Sequence, residues 1–406
     1  MQGKRWFIAI AALVVLAGCD KMWGTIDDPT VDEIFEEGRI DPTAVPQTIG
    51  YVPILPFWEG FEDLQDIFIG YDEMVYVVDK KGVHVLDLTG KEHRLIPFTD
   101  ATDVTQDRRL HLYVAARIAY PVNDSETYSL PAIFRLSHTA GAGSVVWEDT
   151  LIHPFADPSR RLIGVRASDT AARFTGLACR ADNVLYALRQ GPINNLASTA
   201  WPDNAVLFFS AEGENTGYAF GLNPIFPDLK SVVNATAIAG FAAPPQRIYG
   251  IPETHDFLIT QATQPPAEFA TLWIREVVDP NVGVSYEENA SLLQKDYSKG
   301  RRFLYDPFRF SAPADVCVAG DKTGYIFVVD RDRDSVYQFT QKGIEGVPPL
   351  PAMNETRHII VSFGGHGAGP FQFDQPVGVA YYDKTLYVAD RGNRRIARFR
   401  LNTDIE

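Results

Sequence analysis

The sequence predicts an all-β chain folded as a six-bladed β-propeller, and three observations carry that expectation. The stretch Phe363 to Arg400 reads as three short strands joined by two tight turns. The same order recurs upstream, so each unit has neighbours against which to bury its faces. The last unit also stops one strand short of a full blade, while an unassigned apolar run, Thr48 to Trp58, stands at the other end of the chain.

Within the last unit, the Gly/Pro-rich opening Gly364 to Pro370 supplies residues at which positive φ is cheap, as a surface turn requires. Val377 to Tyr382 and Leu386 to Ala389 follow, both rich in the β-branched and aromatic residues that suit a pleated surface. Asp383-Lys384 and Asp390-Arg391-Gly392-Asn393 make the turns, and Ile396 to Arg400 the third strand. Phe373, Pro376, Gly378, Val379, Ala380, then Leu386 to Asp390, then Asn393, Arg395 and Ile396 closely resemble the NHL-repeat signature F-x-x-P-x-G-V-A, L-Y-V-A-D, N-x-R-I. The resemblance implies a propeller that presents loops to a partner.

In chain order, Leu64 to Leu88 repeats the pattern with Asp79 at the place of Asp390, and Ala314 to Phe339 repeats it with Asp330 there. Fainter copies begin near Thr102, Thr175 and Asn234; for the last of these, RIYGI and DFLIT compete as second strand. The count of about six lies within the range of about four to eight blades known for propellers. Because the last unit has three strands, Thr48 to Trp58 is expected to supply its fourth and to close the ring, with Pro53 and Pro56 tolerated on an outer edge.

Ahead of the propeller, Lys4 and Arg5 precede a short apolar stretch, Trp6 to Leu16, well below the roughly 20 residues needed to span a bilayer. It reads as a signal peptide, residues 1–18. Leu16-Ala17-Gly18-Cys19 resembles the bacterial lipobox, which implies lipidation at Cys19 and a lipid-anchored, extracytoplasmic protein. Asp20 resembles an inner-membrane retention signal, but that rule differs between bacterial groups, so the choice of membrane stays open. Residues 19–47, acidic and poor in apolar side chains, form a tether, with a short helix possible at Val31 to Glu37. Loss of Lys4 and Arg5 takes the net charge from -15 to -17. Such a balance, outside the cytoplasm, argues against nucleic acid, whose phosphates must be met by Lys and Arg.

Cys179 and Cys317 fall on innermost strands of non-adjacent blades and one residue apart in register, so they are expected as free thiols on opposite sheet faces. No H-E-x-x-H, G-x-S-x-G, C-x-x-C or EF-hand spacing occurs, and no cofactor is expected. The glycines of Gly364 to Gly369 precede a strand, not a helix, which excludes a dinucleotide loop. His84 and His111 read as packed strand residues. In Asp330-Arg331-Asp332-Arg333-Asp334 the arginines neutralise a hairpin tip.

Two groups remain as candidate sites. Asp66, Asp103 and Asp315 begin innermost strands and can face the channel mouth, with Asn234 as a fourth member. Converging carboxylates repel unless hydrated, protonated or bridged by a cation, and the similar gluconolactonase-like propellers hold calcium there. The plainer reading is that these aspartates cap turns. Insertions near 119–131, 190–202 and 261–310 lengthen the middle blades, and the largest carries Tyr297, Arg301, Arg302, Phe303 and Tyr305, residue types that suit protein or sugar recognition. Two function classes follow: a membrane-tethered binding or scaffold module for a protein, peptide or glycan of the cell envelope, or an envelope hydrolase or lyase working at the channel mouth.

Overall fold

The computed structural model describes residues 49–405 except 142, 246–253, 282 and 354. The signal peptide, Cys19, the tether, the helix expected at Val31 to Glu37 and the RIYGI run (247–251) lie outside these residues. Six antiparallel sheets follow one another along the chain. Blade 1 is Asp66–Ile69, Val75–Asp79, Gly82–Leu86 and Glu92–Pro97, and blade 2 is Asp103–Gln106, Leu112–Asn123, Glu126–Ser137 and Val146–Ile152. Blade 3 is Arg173–Cys179, Leu185–Gln190, Ala205–Phe209 and Asn215–Tyr218, and blade 4 is Ala235–Gly240, Phe257–Gln261, Thr271–Asp279 and Gly283–Glu288. Blade 5 is Pro313–Val318, Ile326–Asp330, Ser335–Phe339 and the short Phe363–Gly364; blade 6 is Pro376–Tyr382, Thr385–Asp390 and Arg395–Leu401.

The outer edge of blade 6 is closed by the N-terminal run. Tyr51–Pro53 pairs antiparallel with the third strand, Tyr51 opposite Leu401 and Pro53 opposite Phe399, and Trp58–Glu59 pairs further along with Ile396 and Arg395. Ile54 to Phe57 stand between the two pieces, so the expected single strand is two short ones. Val52 is fully buried, and the Tyr51 hydroxyl donates to Gln338 Oε1 of blade 5 at 2.8 Å.

Closure is equally visible in the core. Among the described residues six apolar clusters occur, one at each junction between neighbouring blades, including Ile67, Val77, Ala389 and Ile396 where blade 6 meets blade 1. Second strands such as Val75–Asp79 and Ile326–Asp330 are buried on both faces because each blade is packed between two others. That is why they read as continuous apolar runs rather than alternating ones.

Direction now fixes the two faces of the ring. Innermost strands begin at one face, here called upper, so antiparallel order brings the connection between second and third strands, and the loop leading into the next blade, to that same face. In blades 1, 5 and 6 the aspartate ending the second strand ties down the leading loop there. Asp79 accepts from the N–H of Glu62, Asp330 from Ser311 and Ala312, and Asp390 from Asp374.

The expected insertions are redrawn. Residues 119–131 are no loop but the extended end of the blade 2 hairpin, with two strands of twelve residues each. Residues 261–310 contain the outer half of blade 4, so the true additions are the stretches 262–270 and 289–312. DFLIT supplies the second strand of that blade, as Phe257–Gln261.

Candidate functional site

At one register position of the innermost strand the six blades carry Asp66, Asp103, Gly176, Ala237, Asp315 and Gly378, opposite Val78, Ala115, Leu188, Thr260, Val329 and Ala389. The three predicted aspartates therefore occupy one layer of the channel wall. Each reaches to the next blade. Asp66 Oδ2 accepts from Val104 N at 3.0 Å, Asp103 Oδ1 from Leu177 N at 2.9 Å, and Asp315 Oδ2 from Val379 N at 2.7 Å. Innermost strands are sheet edges with unpaired N–H groups, and these carboxylates satisfy part of that demand.

Where glycine stands in place of the aspartate, the backbone of the next blade comes close instead. A Cβ on Gly176 would lie 2.9 Å from Ile238 N, and one on Gly378 3.0 Å from Ile67 N. Asn234 does not join the layer. It lies three positions earlier with φ +48, and its Oδ1 accepts from Gln190 Nε2.

The aspartates are nearly enclosed, at 6–9% exposure. Burial raises Asp66 to about 6 in spite of the N–H groups of Val104 and Ile67. Asp103 is pushed well above the ordinary carboxyl range by burial and then by the charges of Asp66 and Asp315, and Asp315 by burial and then Asp66. The layer therefore holds its protons above the ordinary carboxyl range, with the aspartates behaving as one interacting group. Below it the channel becomes apolar, lined by Ile69, Val318, Tyr381, Ala243 and Pro244, around a cavity of about 80 Å³. A cavity of that size admits a few waters, far short of the roughly 300–1,000 Å³ typical of small-molecule sites.

Cys179 and Cys317 also line the channel as free thiols. Cys179 packs toward blade 2 and Cys317 toward blade 6. Burial pushes both thiols well up, which leaves them poor nucleophiles. His84 is enclosed between Asp79 Oδ1 at 3.0 Å and Glu92 Oε2 at 2.5 Å, and His111, just before its strand, meets Asp107 at 3.0 Å. In the Asp330 to Asp334 run, Arg331 pairs with Asp332. Asp334 turns instead to His366, 3.2 Å away, with Asp374 beyond at 3.9 Å.

The aromatic and basic group divides. Phe303 and Tyr305 are core residues at 2% and 1% exposure, Tyr305 receiving the Trp273 N–H on its hydroxyl, and they are unavailable to a ligand. Their segment lies along blade 5, where Leu304 N donates to Gly343 O and Glu345 N to Arg302 O. Tyr297, Arg301 and Arg302 stay on the surface, Tyr297 edge-on to Phe303 at 5.3 Å.

The sequence-based candidate residues omit the upper face of blade 3, although the insertion expected near 190–202 lies there. Leu162 is 99% exposed, Phe220 69% and Phe226 68%, all on loops of that face, with Leu196 nearby at 67%. One signal was present in the sequence, the run Arg160-Arg161-Leu162-Ile163, which sets two apolar residues in a basic stretch.

No protein-family model matches the chain, and no curated protein matches it. Among solved structures it is similar to auxiliary nutrient binding proteins from Bacteroides ovatus (12% identity over 90% of this chain and 75% of that one, TM-score 0.46) and Bacteroides thetaiotaomicron (13%, 84% and 70%, TM-score 0.48). It is also similar to the PQQ-bound aldose sugar dehydrogenase from Streptomyces coelicolor (12%, 88% and 100%, TM-score 0.46). At such identities the likeness concerns architecture alone, and the six-bladed ring rests on the strand pairing of this chain.

Proposed function

We propose that the protein is a lipid-anchored, extracytoplasmic propeller that serves as a binding or scaffold module for a protein, peptide or glycan of the bacterial cell envelope. The observation that supports this reading is the uneven upper face. Long loops and exposed apolar side chains, among them Leu162, Leu196, Phe220 and Phe226, gather over blades 2 to 4, whereas blades 1 and 6 carry short turns there. Exposed apolar patches on a rigid body are the usual mark of recognition surfaces.

The tether is consistent with such a role. Tyr51 pairs with Leu401, at the lower end of the third strand of blade 6, so the chain enters the ring from the face opposite the loops that carry Leu162, Phe220 and Phe226. An anchor at Cys19 would then turn the loop-rich face away from the bilayer. The test uses the intact lipoprotein as bait in detergent-solubilised envelopes. A species retained by it and released by excess soluble propeller is the expected result. Absence of any saturable capture, together with a lactone-hydrolysing activity lost in Asp315→Ala, would replace this reading with the hydrolase.

A further inference from the structure

The loop leading into blade 3, residues 153–172, stands on a buried network of charges. Arg189, at the end of the second strand and fully enclosed, donates to Asp157 Oδ2 at 2.8 Å, and Arg160 Nη1 meets Asp203 Oδ1 at 2.7 Å. Arg160 Nη2 also donates to Trp201 O, and Trp201 N donates to Ser159 Oγ. His153 and Asp169 complete the network, both under 4% exposed. Desolvating so many charges is expensive and stabilises little. Its effect here is positional: backbone bonds from Arg160 and Arg161 to Asp157 O, and from Ile163 to Arg160 O, form a tight turn with Leu162 at its tip.

That tip is apolar, exposed and held. A second apolar group adjoins the base of the loop: Trp201, whose N–H donates to Ser159, is tilted against Tyr218 at 4.7 Å, Tyr218 meets Phe220 at 6.0 Å, and Asn204 Nδ2 donates to Pro224 O in the loop of Phe226. The exposed charges of this loop itself have one sign. Across residues 153–173 both carboxylates, Asp157 and Asp169, are turned inward, whereas Arg161, Arg166 and Arg173 are exposed, in a chain of net charge -15. Binding an apolar anchor on a fixed loop forfeits little conformational entropy, which favours recognition.

We infer that this patch on blade 3 is a docking surface for an acidic polypeptide segment carrying an apolar side chain, the arginines meeting carboxylates around Leu162. The inference rests on the binding-module reading and names its surface. A lipid surface has the same sign of charge, but the chain ahead of Ile49 departs from the opposite face, which favours a partner in the aqueous space.

The test measures binding of the full soluble chain to short peptides alternating glutamate with leucine, against lysine–leucine and serine–leucine controls. Wild type should prefer the acidic peptide, more weakly as salt rises, and Arg161→Glu with Arg166→Glu should reduce affinity about tenfold or more with unchanged melting temperature. Leu162→Asp should do the same. Equal binding of all three peptides, or by the variants, overturns the proposal. So does sedimentation of wild type, but not Leu162→Asp, with phosphatidylglycerol vesicles, which would make the occupant a lipid surface. Concentration-dependent dimers abolished by these variants would make it a second copy of the chain. If the variants still capture the envelope species retained by wild type, the binding-module reading stands and this surface falls.

Discussion

Asp66, Asp103 and Asp315 show how one residue type serves closure and leaves a mark on stability. Their carboxyls bind protons more tightly folded than unfolded, so their contribution is whole below the ordinary value of 3.8 and is lost as pH rises through the folded values. For Asp66 that window runs from 3.8 to about 6, worth on the order of 3 kcal/mol, and the other two shift in the same direction. Urea unfolding at a series of pH values should therefore show stability falling above pH 4. Asp66→Asn, whose amide keeps an acceptor for Val104 N without a charge, should flatten the lower part of that fall. An identical slope in the variant would show that the carboxylate is ionised throughout. The residues of this layer were legible in the sequence, because each starts a recognisable strand. Their linkage to the next blade was not, because the acceptor and the N–H it meets lie up to 74 residues apart.

At the scale of the strand and its loop, the strong and weak repeats differ in one position. Asp79, Asp330 and Asp390 end second strands and bind the leading loop, and these blades are the ones whose signature is plain in the sequence. Blades 3 and 4 do the same work with other chemistry. Arg189 takes Asp157 from the loop, and Gln261 Oε1 accepts from Ser231 while its Nε2 donates to Phe269 O. Blade 2 has Ala116 there and relies on Arg117 N donating to Thr99 O. The pattern faded because the tie, not the residue, was kept. The closing strand offers a direct check. Removing residues 1–47 should leave the melting temperature unchanged, whereas removing residues 1–58 strips Tyr51, Val52 and Trp58 from the core, at about 1.5–3 kcal/mol for each large side chain. The longer deletion should melt several degrees lower or aggregate through the bared edge of blade 6. Coincident melting curves would mean that the ring closes without this run.

For the whole molecule, the ring has two unlike ends, the chain entering blade 6 from below at Tyr51 and the loops that carry Leu162, Phe220 and Phe226 standing above. The anchor expected at Cys19 is tested by Cys19→Ser, which should abolish incorporation of labelled palmitate and release the protein from the membrane fraction. Label that persists in the variant would remove the lipid from the account. The sequence by itself determined the blade count, the closing run and the strand starts at Asp66, Asp103 and Asp315, since all of these depend on local pattern: turn residues, short apolar runs and their spacing. Only the tertiary structure decided that Phe303 and Tyr305 face inward while Tyr297 faces out, that 261–310 contains half a blade, and that Leu162 stands exposed above a buried ion network. Those outcomes depend on which blade each loop meets. In a ring those neighbours are set by closure, which no local stretch of sequence encodes.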